Sequence, residues 1–143
     1  MTGTRLTLSR GYRDAIPARL GTEDAWEERG GALWLTPKAL DVRGMAREMA
    51  ASGARFLTIT AQEEDGGIRL DYCWDLAGRL LAVTTRAQDS QIASIYDLCE
   101  AADWIEREIH EYFAVEFGGR QTEPLFLRPG TPPGLNLRGE EDE

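Results

Sequence analysis

Alternating hydrophobic and polar positions fill the middle of the chain, and helically spaced apolar positions flank them. Residues 55–62 alternate weakly, with Phe56, Thr58 and Thr60 on one side and Leu57 and Ile59 on the other. Asp65-Gly66-Gly67 is a strong turn signal. After it, Ile68, Leu70, Tyr72 and Trp74 alternate with Arg69, Asp71 and Cys73, the two-residue period of a half-buried strand. A turn at Ala77-Gly78 leads into a third strand at residues 80–85, so the segment predicts an antiparallel meander. Upstream, residues 25–35 predict a strand interrupted by a turn at Gly30-Gly31. A helix then starts at Thr36-Pro37 or at Asp41, both good first-turn signals. Leu40, Met45, Met49 and Ala50 form its apolar stripe, and Gly53 stands where a C-terminal cap belongs. Residues 1–24 are punctuated by Gly11, Pro17 and Gly21, and Leu6 and Leu8 fit either a short strand or a helical turn.

Residues 94–119 read as one amphipathic helix to about Phe113, followed by an exit to Gly118-Gly119. Leu98, Ala101, Ala102, Ile105, Ile109, Tyr112 and Phe113 share a broad face with Trp104 at its edge. Asp103, Glu106, Arg107, His110 and Glu111 fall opposite, with Asp103–Arg107 and Arg107–Glu111 at ion-pair spacing. Glu108 projects into the apolar arc, where a carboxylate needs a partner. The expected partner is an arginine such as Arg120 or Arg128. Strands with two flanking helices predict an α+β domain of two layers, a mostly antiparallel or mixed sheet with helices packed on one face. Beyond Gly119, Pro124, Pro129, Pro132-Pro133, Gly130 and Gly134 exclude long regular structure. The chain therefore divides into a domain at 1–119 and an extension at 120–143, with the apolar triplet Leu125-Phe126-Leu127 and an acidic tail. Deleting residues 120–143 is expected to leave the domain folded and to abolish binding to a partner.

Charge narrows the function. The 143 residues carry a formal net charge of −9, with four acidic residues at the C-terminus. An acidic chain without a basic cluster argues against nucleic acid and anionic membrane surfaces. No apolar run approaches the ~20 residues of a membrane span, and the N-terminus lacks a signal core, which points to the cytoplasm. Cys73 and Cys99, the two cysteines, lack metal-type spacing and read as reduced, buried thiols. The sole histidine, His110, reads as exposed and paired with Glu106 rather than as a ligand. Cys99 and His110 would lie roughly 16 Å apart on a continuous helix, too far for a nucleophile pair. Glu106 and Glu108 point in different directions, and no glycine pair has a phosphate-loop pattern. Catalytic, cofactor and metal residues are therefore not expected, and the isolated protein should be colourless. Trp26, Trp34 and Trp74 read as packing residues, and Trp104 equally as an interface residue.

The run from Ala102 to Phe113, ADWIEREIHEYF, resembles the signature of the 30 kDa subunit of respiratory NADH–quinone oxidoreductase (complex I). The same subunit type occurs in membrane-bound group 4 [NiFe] hydrogenases. The family pattern is A-x-W-x-E-R-E-x-x-D-x-F-G-I-x-F-x-G-H-P, to which Trp104, Glu106, Arg107, Glu108, Phe113 and Gly119 correspond. Glu111 stands where the family has Asp, Ala114 where Gly follows Phe, and Arg120-Gln121-Thr122 replaces the segment after the last Gly. Pro124-Leu125-Phe126-Leu127 is similar to the ending of hydrogenase-linked relatives, and the long C-terminal arm of many complex I versions does not follow. The resemblance implies a cofactor-free structural subunit, peripheral to the inner side of the cell membrane. It would pack against the subunit related to the hydrogenase large chain through the signature residues and Leu125, Phe126 and Leu127. The alternatives are the equivalent hydrogenase subunit and a freestanding α+β binding module.

Overall fold

Asp41 sets the first well-defined helix boundary. Its backbone is extended (φ −80°, ψ 99°) and its carboxylate accepts a hydrogen bond from the Gly44 N–H at 3.0 Å. Helix α2, Val42–Ala51, follows, so Thr36-Pro37 lies in the connection rather than in a helix. Gly53, at φ +82°, ends α2 as expected, and the Ala54 N–H returns to the Met49 carbonyl at 2.9 Å. The computed structural model describes residues 13–120, 125 and 130–135. The N-terminal readings at Leu6, Leu8 and Gly11 lie outside these, while residues 13–19 form a short helix, α1, around the buried Ile16.

The main sheet contains β1 (Glu27–Arg29), β2 (Ala32–Leu35), β3 (Arg55–Glu64), β4 (Gly67–Leu76) and β5 (Arg79–Arg86). Turns at Asp65-Gly66 and Ala77-Gly78, all four at positive φ, join β3–β4 and β4–β5 as the predicted meander. The sheet order is β1-β2-β5-β4-β3, antiparallel throughout except for β2, which lies parallel to β5 with Leu33 beside Leu81. Leu33, Leu70, Tyr72, Trp74, Leu81 and Val83 lie on one face and share a core with Ile16, Val42, Met45 and Met49 of the helices. The expected α+β architecture is therefore present, as a five-stranded mixed sheet with the helices on one face.

One register expectation is corrected. Phe56 pairs with Trp74 and Ile59 with Tyr72, so both face the core although the simple alternation separates them. A bulge between Phe56 and Thr58 inserts Leu57 and shifts the face by one residue.

The C-terminal third departs further from the single predicted helix. Strand β6 (Gln91–Ala93) lies in the connection after β5, residues 94–99 form a loop, and a 3₁₀ turn at Glu100–Ala102 precedes helix α3, Asp103–Phe113. Strand β7 (Glu116–Gly118) then returns parallel to β6, with Ile92 beside Phe117. Helix α3 ends on Ala114 in the left-handed conformation (φ +56°, ψ 32°), its N–H on the His110 carbonyl. The turn at which the resemblance implies a glycine is made here by alanine. A side chain in that conformation costs roughly 1–2 kcal/mol, partly offset by the smaller backbone entropy of the unfolded alanine. Ala114→Gly is therefore expected to stabilise the protein by about 0.5–1 kcal/mol. A urea midpoint unchanged or lowered in the variant would contradict this account of the turn.

Candidate functional site

The side of α3 that reads as solvent-facing is buried at two positions. Glu106 has 0% of its surface exposed and Glu111 has 2%. The Glu106 carboxylate accepts from the Ser94 hydroxyl at 2.6 Å, the Ile95 N–H at 2.8 Å and Arg120 Nη1 at 3.2 Å. Arg120 also reaches Asp103 at 2.5 Å, and its guanidinium lies 4.6 Å from the centre of the Tyr96 ring. Arg43 closes the arrangement from α2, donating to the Ser94 carbonyl at 2.9 Å and to both Asp97 oxygens at 2.6 and 2.9 Å. This network explains why residues 94–99 are not helical. The Ser94 and Ile95 donors go to Glu106, so the loop is held by α3 instead of extending it.

Burial holds the Glu106 carboxyl above the usual carboxylate range, although Ser94, Ile95 and Arg120 pull it down. Burial likewise pushes the Tyr72 phenol far up, with the Glu106 charge adding to the shift. The Tyr72 hydroxyl has no hydrogen-bond partner among the described residues and stays neutral.

Glu108 is half-buried as expected, but Arg120 is not its partner. Arg120 is drawn to the two carboxylates one turn earlier, and Arg128 lies outside the described residues. Among the described residues, Glu108 has no ionic partner. His110 also departs from expectation: its Nδ1 donates to the Val115 carbonyl at 2.9 Å, across the turn at Ala114, instead of meeting Glu106. Asp103 and Arg107 form the predicted i,i+4 pair at 3.7 Å. Phe113 packs half-buried against the core, and Gly119, at φ +90°, turns the chain so that Arg120 points back to α3. The Leu125 N–H donates to Glu111 Oε2 at 2.5 Å, and the Gly134 and Leu135 N–H groups donate to the Glu111 carbonyl. Phe126 and Leu127 lie outside the described residues.

Trp104 is 65% exposed, one residue from the network, and Tyr96 and Leu98 are also exposed. The other tryptophans pack. Trp26 donates to the Arg13 carbonyl, Trp34 lies beneath Arg29 at 4.7 Å, and the buried Trp74 meets Phe56 edge to face at 5.3 Å. Cys73 and Cys99 are free and half-buried, and burial raises both thiols above their ordinary pKa. Among the described residues, no group of three or more His, Cys, Asp or Glu side chains is placed to hold a metal ion. A cleft of about 700 Å³ opens between the start of α2 and β5–β6. Two of its arginines, Arg69 and Arg86, are engaged by Glu64 and Asp71. No described helix is long and apolar enough to cross a membrane.

The arrangement is a buried carboxylate–guanidinium network that ties the loop at 94–97 and Arg120 to α3, with Trp104 exposed on the same helix. Reasoning from the sequence selects Glu106 and Trp104 but misses Ser94, Tyr96, Arg43 and Asp97, whose role depends on a contact between α2 and the loop before α3.

Comparison with known proteins places this arrangement in a family. Residues 36–141 match the family described as respiratory-chain NADH dehydrogenase, 30 Kd subunit. No curated protein matches the chain. Among solved structures, it is similar to a chain of the membrane-bound sulfane sulfur reductase (MBS), an archaeal respiratory membrane complex. That match has a TM-score of 0.71 at 22% identity, over 93% of this chain and 80% of the other. It is also similar to the trypsin-resistant fragment of Nqo5, with a TM-score of 0.51 at 19% identity, over 84% of this chain and 97% of the other. At these identities the two structures show a shared fold. The family match spans most of the chain, including the whole meander, the network around Glu106 and the signature helix, and by it the protein belongs to the family of the 30 kDa subunit of respiratory-chain NADH dehydrogenase.

Proposed function

We propose that the protein is a structural subunit of a complex I-like electron-transfer complex, carrying no redox group and docking on the subunit related to the hydrogenase large chain. The family match over residues 36–141 carries this reading. The exposed Trp104 supports a docking role, because a large aromatic side chain left in water beside a rigid ion network is the make-up of an interface anchor. On this reading the signature has two tasks. Glu106, with Arg120 and Asp103, fixes the shape of the surface, while Trp104, Tyr96 and Leu98 provide its apolar contact. Leu125, Phe126 and Leu127 would extend the contact along the partner. Localisation at the inner side of the membrane, through the complex, follows from the same proposal.

The equivalent subunit of a hydrogenase-like membrane complex is the second reading, favoured by the Pro124-Leu125-Phe126-Leu127 ending. Affinity capture of the intact chain from its source cells separates the two: quinone-reducing activity in the captured complex supports the first, and nickel with hydrogen-evolving activity supports the second.

Trp104→Ala tests the docking face. It should leave stability within about 0.5 kcal/mol, since the side chain is largely in water. Recovery of the partner should fall by about tenfold or more, as for an anchor residue worth at least 1.4 kcal/mol. Undiminished recovery would remove Trp104 from the interface. Stoichiometric flavin, iron or nickel in the isolated, untagged chain would overturn the cofactor-free part of the proposal.

A further inference from the structure

Glu111 stands in the signature run, yet its side chain is buried, so any part it takes in docking is indirect. Its two kinds of acceptor hold two separate points of the C-terminal extension. The carboxylate takes the Leu125 N–H at 2.5 Å, and the backbone carbonyl takes the Gly134 N–H at 2.7 Å and the Leu135 N–H at 3.2 Å. That carbonyl belongs to the last turn of α3, where no following helical N–H is left to meet it. Leu125 and Gly134 are nine positions apart, so the extension leaves Glu111 and returns to it. Chain entropy opposes closing such a loop. Pro132 and Pro133, just before the returning end, lower that cost by restricting the unfolded chain. Leu135 is held by its backbone and keeps its side chain 53% exposed. Trp104 and Glu111 are seven residues apart on α3, about two turns, which puts both on one side of the helix roughly 10 Å apart along its axis. The returning end of the extension is thus fixed to α3 two turns beyond the exposed Trp104.

We infer that Glu111 is a positioning residue for docking: by hitching the extension at Leu125 and at Gly134–Leu135, it sets the course of that segment relative to Trp104. The inference rests on the proposed subunit role and names the residue that orients the extension for the partner subunit. Glu106 and Glu111 then divide the work of the buried side of α3. Glu106 gathers the loop at 94–97 and Arg120, whereas the described bonds of Glu111 go to the later extension.

Glu111→Asp tests the inference, because it draws the carboxylate back by one methylene and keeps the charge and the backbone carbonyl. Amide hydrogen exchange at Leu125 in the isolated variant should quicken by about tenfold or more, with Tyr72 and Val83 in the core unchanged. Recovery of the partner from source cells should fall by about tenfold. Glu111→Gln, which keeps an oxygen at full reach, should hold Leu125 exchange and recovery within about twofold of wild type. If the aspartate variant also loosens the core amides, Leu125→Pro decides instead: it removes the N–H donor without altering α3, and it too should lower recovery by about tenfold. Unchanged Leu125 exchange in Glu111→Asp overturns the hitch. Faster exchange with undiminished recovery, or undiminished recovery with Leu125→Pro, overturns the positioning role. If Trp104→Ala lowers recovery and these variants do not, the docking role stands and the inference fails. If none of them lowers recovery, both fail.

Discussion

Replacing Glu106 by leucine is expected to lower the unfolding free energy by about 3–5 kcal/mol, the cost of removing one partner from a buried ionic network. The carboxylate is the shared acceptor for Ser94, Ile95 and Arg120. Leucine would leave the hydroxyl and the N–H unpaired, at roughly 1–3 kcal/mol for each buried group, although Arg120 would keep Asp103. Glu106→Gln should cost less, because its amide oxygen can still accept from Ser94 and Ile95. The comparison also carries a pH signature. Burial raises the Glu106 pKa above its ordinary value of 4.5, so the folded chain binds this proton more tightly than the unfolded chain. The stabilisation from that proton is fully present below the unfolded value and is lost as pH rises through the raised one. Wild type should therefore gain on Glu106→Gln as pH falls through that window. Urea midpoints measured across pH check both points. Identical midpoints for wild type and the leucine variant would show that the network contributes nothing to stability.

The second large effect is expected from the choice of truncation point. A chain ending at Thr122 keeps Arg120 and loses the Leu125 N–H that meets the buried Glu111 carboxylate. Its stability should fall by about 1–3 kcal/mol, with cooperative unfolding retained and partner capture lost. A chain ending at Gly119 also loses Arg120, which leaves Glu106 buried without its cation and Asp103 without its closest one. A further loss of about 3 kcal/mol is expected, a large share of the ~5–15 kcal/mol that holds a domain of this size together. Circular dichroism during urea titration of both truncations makes the comparison. Equal midpoints would place Arg120 outside the structural core of the domain, and full partner capture by either truncation would remove the C-terminal segment from the interface.

What is legible in the sequence is local. Asp65-Gly66 and Ala77-Gly78 fix their turns through positive φ, and Asp41 caps α2 with its own side chain. These choices concern a few neighbouring atoms, so residue type suffices. The period of β4 is visible because one face meets helices and the other does not. The same reasoning fails on α3, where a polar side does not mean water. Glu106 and Glu111 instead face other parts of the same chain, the loop at 94–97 and the segment around Leu125 and Gly134. A periodicity plot cannot distinguish a polar side in solvent from one that meets donors brought from elsewhere. The early helix start fails for a related reason: Ser94 and Ile95 have helical neighbours in sequence but a stronger acceptor in space. The bulge at Leu57 leaves only a weakened alternation as its trace. Of the site, Trp104 and Glu106 are found by signature, while Arg43 and Asp97 need the fold.

The parallel pairing of β2 with β5 has a consequence for the order in which the protein is made. Leu33 lies beside Leu81, so α2, β3 and β4 must all be synthesised before β2 can acquire its long-term neighbour. The meander needs only chain that is close in sequence and can form quickly, whereas closing β2 onto β5 bears the entropy of a long loop. During synthesis the β1–β2 hairpin therefore emerges well before β5 and waits, with Leu33 and Leu35 still in water, until β5 leaves the ribosome. The slow step of folding is then the docking of this early hairpin on a finished meander. Rapid dilution from urea should show it as a phase in which Trp34 fluorescence settles after that of Trp74.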